Sequence, residues 1–338
     1  MMRVFRERSH TDGTRHGVTL VEVLVCIGIA GILMSLLLPS IQAARETARA
    51  ATCMNHLRQL TTASHSFVSV HGHFPPTSTT WSLPSGQQPA VSTFRHLMAH
   101  LEPHIFQKID FKDVTAPTWT NSPCTHLSPR NEELNRIGIS VLLCPSDSEA
   151  TRGTNYRCNL GISAHLFGPQ SSIFGEPTAE RGAFVHGRSV KPAEFRDGLS
   201  TTALFSERVQ GDGRSGDYSP FQDLFSDPQI TQGTENVRLG CQSFASLTPT
   251  EEFSFAGKSW LLGGWLHTWY SHISPPNWRV PDCGLGSGVL DGGDMVVSAR
   301  SFHLGRVHVA MADGAVRVTS NSITQTIWSE MGTRAGSN

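Results

Sequence analysis

Glu22 is the first residue whose surroundings call for a chemical reason. It lies in an apolar run from Val18 to Leu38, twenty-one residues interrupted only by Thr19 and Glu22. A carboxylate inside an apolar helix costs about 3 kcal/mol unless it finds a partner, so it is a candidate functional group. A second candidate is His303, separated from Asp313 by nine residues. A His–Asp pair can move protons, but catalysis also needs a nucleophile or metal and a pocket. No Gly-x-Ser-x-Gly, His-Glu-x-x-His or phosphate-binding loop accompanies it. His303 is therefore expected to be structural, hydrogen-bonding near a turn at Asp313-Gly314, and no enzyme is expected. His65, His71 and His73 lack Cys or carboxylates at ligand spacing, so they do not predict a metal. Asp147, Asp197, Asp291 and Asp294 lie in Gly/Ser-rich loops and offer oxygens of the kind Ca²⁺ takes, although exposed turn carboxylates are the commoner explanation. No resident cofactor is expected, and Ca²⁺ is the one ion to look for. Trp81, Trp119, Trp260, Trp265, Trp269 and Trp278 could line a ligand groove, but Trp is more often core.

The elements that must hold these groups follow from composition and periodicity. The chain has 338 residues, 27 Lys and Arg against 28 Asp and Glu, and a formal charge of -1. That balance argues against nucleic acid as a partner. Its 31 Gly and 19 Pro favour short strands and long loops over a helical bundle. The apolar run is about the ~20 residues that a helix needs to cross a bilayer. Arg3, Arg6, Arg8 and Arg15 precede it, outnumbering Glu7 and Asp12, a flank of the kind retained in the cytoplasm. The run exceeds the roughly 7–15 residues of a cleaved secretory signal. A plain signal anchor would explain its length and basic flank, but not Glu22.

Beyond the run, Ala, Arg, Gln and Leu continue the helix to about Val70 with a bend at Pro39, where the ring removes a donor. Ile41, Ala44, Ala48, Ala51, Met54 and Leu57 mark its expected apolar face. Phe94 to Phe111 reads as a further helical segment. After it come short apolar runs at 139–143, 203–205, 260–262, 307–311 and 316–318, the pattern of antiparallel strands. The last two flank Asp313-Gly314 and predict a β-hairpin.

Gly17-Val18-Thr19-Leu20-Val21-Glu22 resembles the type IV prepilin and pseudopilin signal. The resemblance implies cleavage after Gly17 by a prepilin peptidase and methylation of the new amino group on Val18, where most members have Phe. It also implies that Glu22 attracts the terminal amine of a neighbouring subunit during assembly. Gly31 and Pro39 fall where pilins often carry a Gly and a kinking Pro. The His303-x9-Asp313-Gly314 pattern is similar to that of a planctomycete-type pseudopilin-like family, described as secretion-system protein-G-like with a domain of unknown function. Cys53-Met54-Asn55-His56-Leu57, Gly72 to Pro76, Leu143 to Asp147, Thr154-Asn155-Tyr156, Arg196 to Thr202 with Glu207, Ser274 to Asn277 before Cys283, and Gly332 to Gly336 resemble its stretches in order. Leu304-Gly305-Arg306 and His308 depart from it, Pro-Gly-Gly and Asn being usual there.

Of seven Cys, Cys26 lies in the membrane run, and the other six, in an exported region, allow fifteen pairings. Cys144 and Cys283, which fall in shared motifs, are the disulfide candidates to test first.

The expected fold is α+β, with a long N-terminal pilin-like helix on a mostly antiparallel β head with long loops. The expected divisions are a leader at 1–17, a transmembrane helix at 18–39, an amphipathic spine at 40–71 and an exported head at 72–338. The expected protein sits in the inner membrane with a cytoplasmic N-terminus and an extracytoplasmic head, or at the cell surface after assembly. Its expected partners are the prepilin peptidase, other pseudopilin subunits and membrane lipid. The expected function is assembly of a type IV pilus-like or type II secretion apparatus. The alternative is a membrane-tethered binding module for a glycan, peptide or solute.

Overall fold

The computed structural model describes residues 19–77, 91–111, 127–164, 181–186, 188–244, 251–285 and 294–336. The chain divides into two compact units, Met1–Thr47 and Ala48–Asn338. Helix α1 (Leu20–His71) continues unbroken through Pro39. It stops at Gly72, whose φ of 76° is readily adopted only by glycine and whose N–H closes on the Val68 carbonyl at 2.8 Å.

Within the larger unit, α1 buries Ala50, Cys53, Leu57, Leu60, Thr61, Ala63, Ser64 and Phe67. The predicted face has to be corrected here. Ile41, Ala44, Ala48 and Ala51 are exposed and Met54 is half-buried, so only Leu57 of that series reaches the core. Alanine suits an exposed helix as well as a buried one, so its spacing reported helicity rather than burial.

The predicted helical segment at 94–111 is two helices, α2 (Thr93–Leu101) and α3 (Pro103–Phe106). Pro103 disfavours helical geometry in the residue before it, and Glu102 leaves the helix at φ −140°, ψ 74°. Helix α4 (Pro129–Asn135) begins at Ser128, whose hydroxyl accepts from the Asn131 N–H.

One sheet has the order β5-β1-β2-β8-β9, from β1 (Tyr156–Asn159), β2 (Ala203–Glu207), β5 (Trp269–Tyr270), β8 (Arg306–Met311) and β9 (Val316–Ser320). The other has the order β4-β3-β6-β7, from β3 (Leu224–Asp227), β4 (Glu251–Phe253), β6 (Asp282–Leu285) and β7 (Met295–Val296). Among the described residues only β1–β5 and β3–β6 are parallel, so the sheets are mixed and mostly antiparallel. Helix α5 (Thr234–Ser243) packs with the second sheet, and α6 (Gln325–Gly332) is the last helix among the described residues. The predicted hairpin is β8–β9, with Ala310 opposite Val316 and Gly314 at φ 96°. Two other apolar runs are not strands: Ser140–Leu142 is a 3-10 turn, and in the Trp260–Leu262 run Leu262 makes an isolated bridge to Val91.

The main core joins the α1 face, Phe94, Leu97 and Met98 of α2, and β1, β2 and β8. A smaller core gathers Phe225, Val237, Cys241, Cys283 and Val296 between α5 and the second sheet. A buried ion triad links the sheets. Asp282 of β6 takes Arg208, which follows β2, at 3.1 Å and Arg300, which follows β7, at 2.8 Å. Burial pushes the Asp282 carboxyl up, but Arg300 and then Arg208 outweigh it and hold it below the usual range.

Candidate functional site

At the start of α1, the Glu22 carboxylate accepts from the Thr19 backbone N–H at 2.8 Å and from its hydroxyl at 3.0 Å. The Glu22 N–H donates back to Thr19 Oγ1 at 3.3 Å. This reciprocal pair is a capping box, which satisfies donors that a helix start leaves open. Glu22 therefore has a partner within its own chain, Thr19. From Leu20 to Leu38 the apolar side chains are exposed, and the segment is long and apolar enough to cross a membrane. Gly17 and Val18 lie outside the described residues.

In the head, the most unusual chemistry lies where α1 meets the first sheet. The register that pairs Ser206 with Val309 sets Glu207, the last residue of β2, opposite His308 of β8. Glu207 Oε2 accepts the His308 backbone N–H at 2.8 Å, and Oε1 faces His308 Nδ1 at 2.9 Å. His303 Nε2 lies 3.3 Å from the same Oε1. All three side chains are buried. Burial pushes the Glu207 carboxyl up, but hydrogen bonds from His303 and His308 prevail and hold it below its ordinary value. His303 also has Ser146 Oγ at 3.5 Å from Nδ1 and Cys144 Sγ at 3.7 Å from Nε2. Cys144 is disulfide-bonded to Cys53 of α1. Among the described residues, one group of three or more metal-ligating side chains has its ligand atoms within 4.8 Å of one another: Cys53, Cys144, Glu207 and His303.

The chain matches, over residues 42–326, the family described as a protein of unknown function (DUF1559). It belongs to that family. Residues 13–38 match the prokaryotic N-terminal methylation motif. No curated protein and no solved structure matches the chain. The two matches identify a DUF1559 protein with a pseudopilin-type N-terminus and a membrane-type helix, and support a structural, non-catalytic role.

The remaining predicted residues of this DUF1559 chain are dispersed. Asp313 is not the partner of His303. The six residues of β8 separate them, so they sit beyond opposite ends of the strand, and the expectation that His303 bonds near the hairpin turn is corrected. Asp313 Oδ1 instead accepts the Ala315 N–H at 2.9 Å. Cys283 is bonded to Cys241, joining α5 to β6, while Cys158 is buried and free. Cys124, Asp291, Trp81 and Trp119 lie outside the described residues. Trp260, Trp265 and Trp269 are buried in the main core, where Arg157 of β1 donates to the carbonyls of Trp265, Leu266 and Trp269. His71 Nδ1 lies 3.0 Å from the Phe67 carbonyl and His73 Nδ1 lies 2.9 Å from that of Phe74.

The calcium candidates face different partners. Asp147 accepts from Asn155 and Gln210, Asp197 from Gly336 and Thr333, and Asp294 from Gly233.

Sequence reading missed Glu207 as the centre of the cluster and His308 and Ser146 as its neighbours. The only available signal was their proximity to separate motif stretches, because the sequence does not show that those stretches meet.

Proposed function

We propose that the chain is a pseudopilin-like subunit of a type IV pilus-like or type II secretion assembly. It inserts with its N-terminus in the cytoplasm, and a prepilin peptidase cuts after Gly17. Val18 becomes the methylated terminus, and the head stands outside the cytoplasm. The carrying observation is the methylation motif at residues 13–38, coincident with an exposed apolar helix that starts at Leu20. Two disulfides in the larger unit support an oxidising compartment for the head. Pro39 lies inside the helix, where its ring removes one backbone donor from the ladder.

In this reading Glu22 leaves or shares its capping box to meet the terminal amine of a neighbouring subunit. Glu22→Gln tests the point, because Gln preserves a capping box but removes the charge. The expected outcome is normal insertion and cleavage with loss of subunit cross-links along the membrane helix. Cross-linking equal to wild type would show that capping alone explains Glu22.

A further inference from the structure

The two disulfides among the described residues of the head have different surroundings. Cys241–Cys283 lies among Phe225, Val237 and Val296, an apolar setting. Cys53–Cys144 instead has a buried carboxylate and a buried imidazole against it. A disulfide needs neither. Two thiols, an imidazole and a carboxylate together form a ligand set for a borderline-soft cation.

We propose that, in its dithiol state, the head binds one Zn²⁺ through Cys53 Sγ, Cys144 Sγ, His303 Nε2 and Glu207 Oε1. Tetrahedral Zn²⁺, with bonds of ~2.0–2.3 Å, sets its nitrogen and oxygen ligands about 3.4 Å apart and its sulfur and nitrogen ligands about 3.6 Å apart. The structure has His303 Nε2 at 3.3 Å from Glu207 Oε1 and at 3.7 Å from Cys144 Sγ. Two edges of the tetrahedron are therefore preformed. The sulfur–sulfur edge opens to about 3.8 Å once the covalent bond is gone.

The outer partners are also present. Ser146 Oγ stands at 3.5 Å from His303 Nδ1, positioned to accept a hydrogen bond from Nδ1–H when Nε2 turns to the metal. The His308 backbone N–H holds Glu207 Oε2 at 2.8 Å, leaving Oε1 a lone pair for the ion beside its contact with His308 Nδ1. The four ligands come from α1, the segment after the 3-10 turn, the end of β2 and the loop before β8. The metal would therefore fasten the helix to the sheet where the disulfide does.

The dithiol state is that of the chain before oxidation. It also forms when a dithiol reductant exchanges with the bond, its own two thiols becoming a disulfide. Each cysteine thiol releases its proton to solvent as its thiolate binds the metal.

The test uses the detergent-solubilised full-length chain, reduced with a water-soluble phosphine that becomes its oxide. Mass spectrometry confirms the thiols, and Co²⁺ is added as the spectroscopic probe. The expected result is one Co²⁺ per chain with thiolate-to-metal absorption, displaced by Zn²⁺ and absent from the oxidised chain. His303→Gln and Glu207→Gln each weaken Co²⁺ binding by tenfold or more, an effect of about 1.4 kcal/mol or more. Cys241→Ser leaves binding unchanged. Cys53→Asp keeps four ligands but cannot form the disulfide, so it binds Co²⁺ without reductant. The proposal is overturned if neither the reduced chain nor Cys53→Asp takes up Co²⁺. It is also overturned if the absorption survives His303→Gln undiminished or disappears with Cys241→Ser.

Discussion

The two halves of α1 obey the same helical geometry and serve opposite environments. Between Val23 and Leu38 the helix carries no charge and its apolar side chains are exposed on every face. Between Ala50 and Phe67 burial is confined to one face, on which Thr61 and Ser64 return their hydroxyls to the Leu57 and Leu60 carbonyls. The first half is suited to lipid, which requires only that backbone groups be satisfied internally. The second is suited to a sheet, which requires side chains of particular shapes. Apolarity alone does not decide which residues are packed within the protein.

The largest test of this contrast compares cysteines. Breaking Cys53–Cys144, which spans 91 residues, with Cys144→Ser should cost the head about 4–5 kcal/mol by loop-closure entropy. Cys26→Ser, in the apolar half, should leave the denaturant midpoint of the head unchanged. Leu57→Ala should cost about 3 kcal/mol as a buried large-to-small change, whereas Leu33→Ala should not alter head unfolding. An equal loss from both Leu substitutions would break the comparison.

The next effect, per group, is acid sensitivity. His267 and His272 are pushed down to about 3 and His186 to about 4, in each case chiefly by burial. Their folded pKa values lie below the ordinary 6.5. The unfolded chain therefore binds more protons at mildly acid pH. Stability is full above the ordinary His value and falls below it by up to about 1.4 kcal/mol per pH unit for each group. Urea midpoints from pH 7.5 to 4.5 should show this decline for the head. Helicity of the Leu20–Leu38 segment, which contains no His, should not follow it. The smallest effect expected is at the hairpin, where Gly314→Ala forces a Cβ onto φ 96° at about 1 kcal/mol, measurable as a shifted midpoint.

Local features were the most legible from sequence. The β8–β9 hairpin follows from alternation around Asp-Gly, and the long helix follows from composition. The break at Glu102 was visible in Pro103, although the segment read as a single helix. Tertiary partners were not legible. His303 and Glu207 are 96 positions apart in sequence, and neither has a local pattern that names the other. The motif stretches do interlock in pairs: Cys53 with Cys144, Asp147 with Asn155, and Asp197 with Gly336. Their order in sequence supports family resemblance, but only the fold shows which ones meet. The helix face was misassigned because Ala48 and Ala51 have the right period without being buried.

The central claim is that a prepilin-type signal delivers the helix to the membrane and the head to the far side. Mass spectrometry of the N-terminal peptide from the purified native protein tests it most directly. The account predicts a peptide beginning at Val18 and carrying one methyl group on its amine. A peptide retaining Met1 and residues through Gly17 would contradict processing and leave a plain signal anchor.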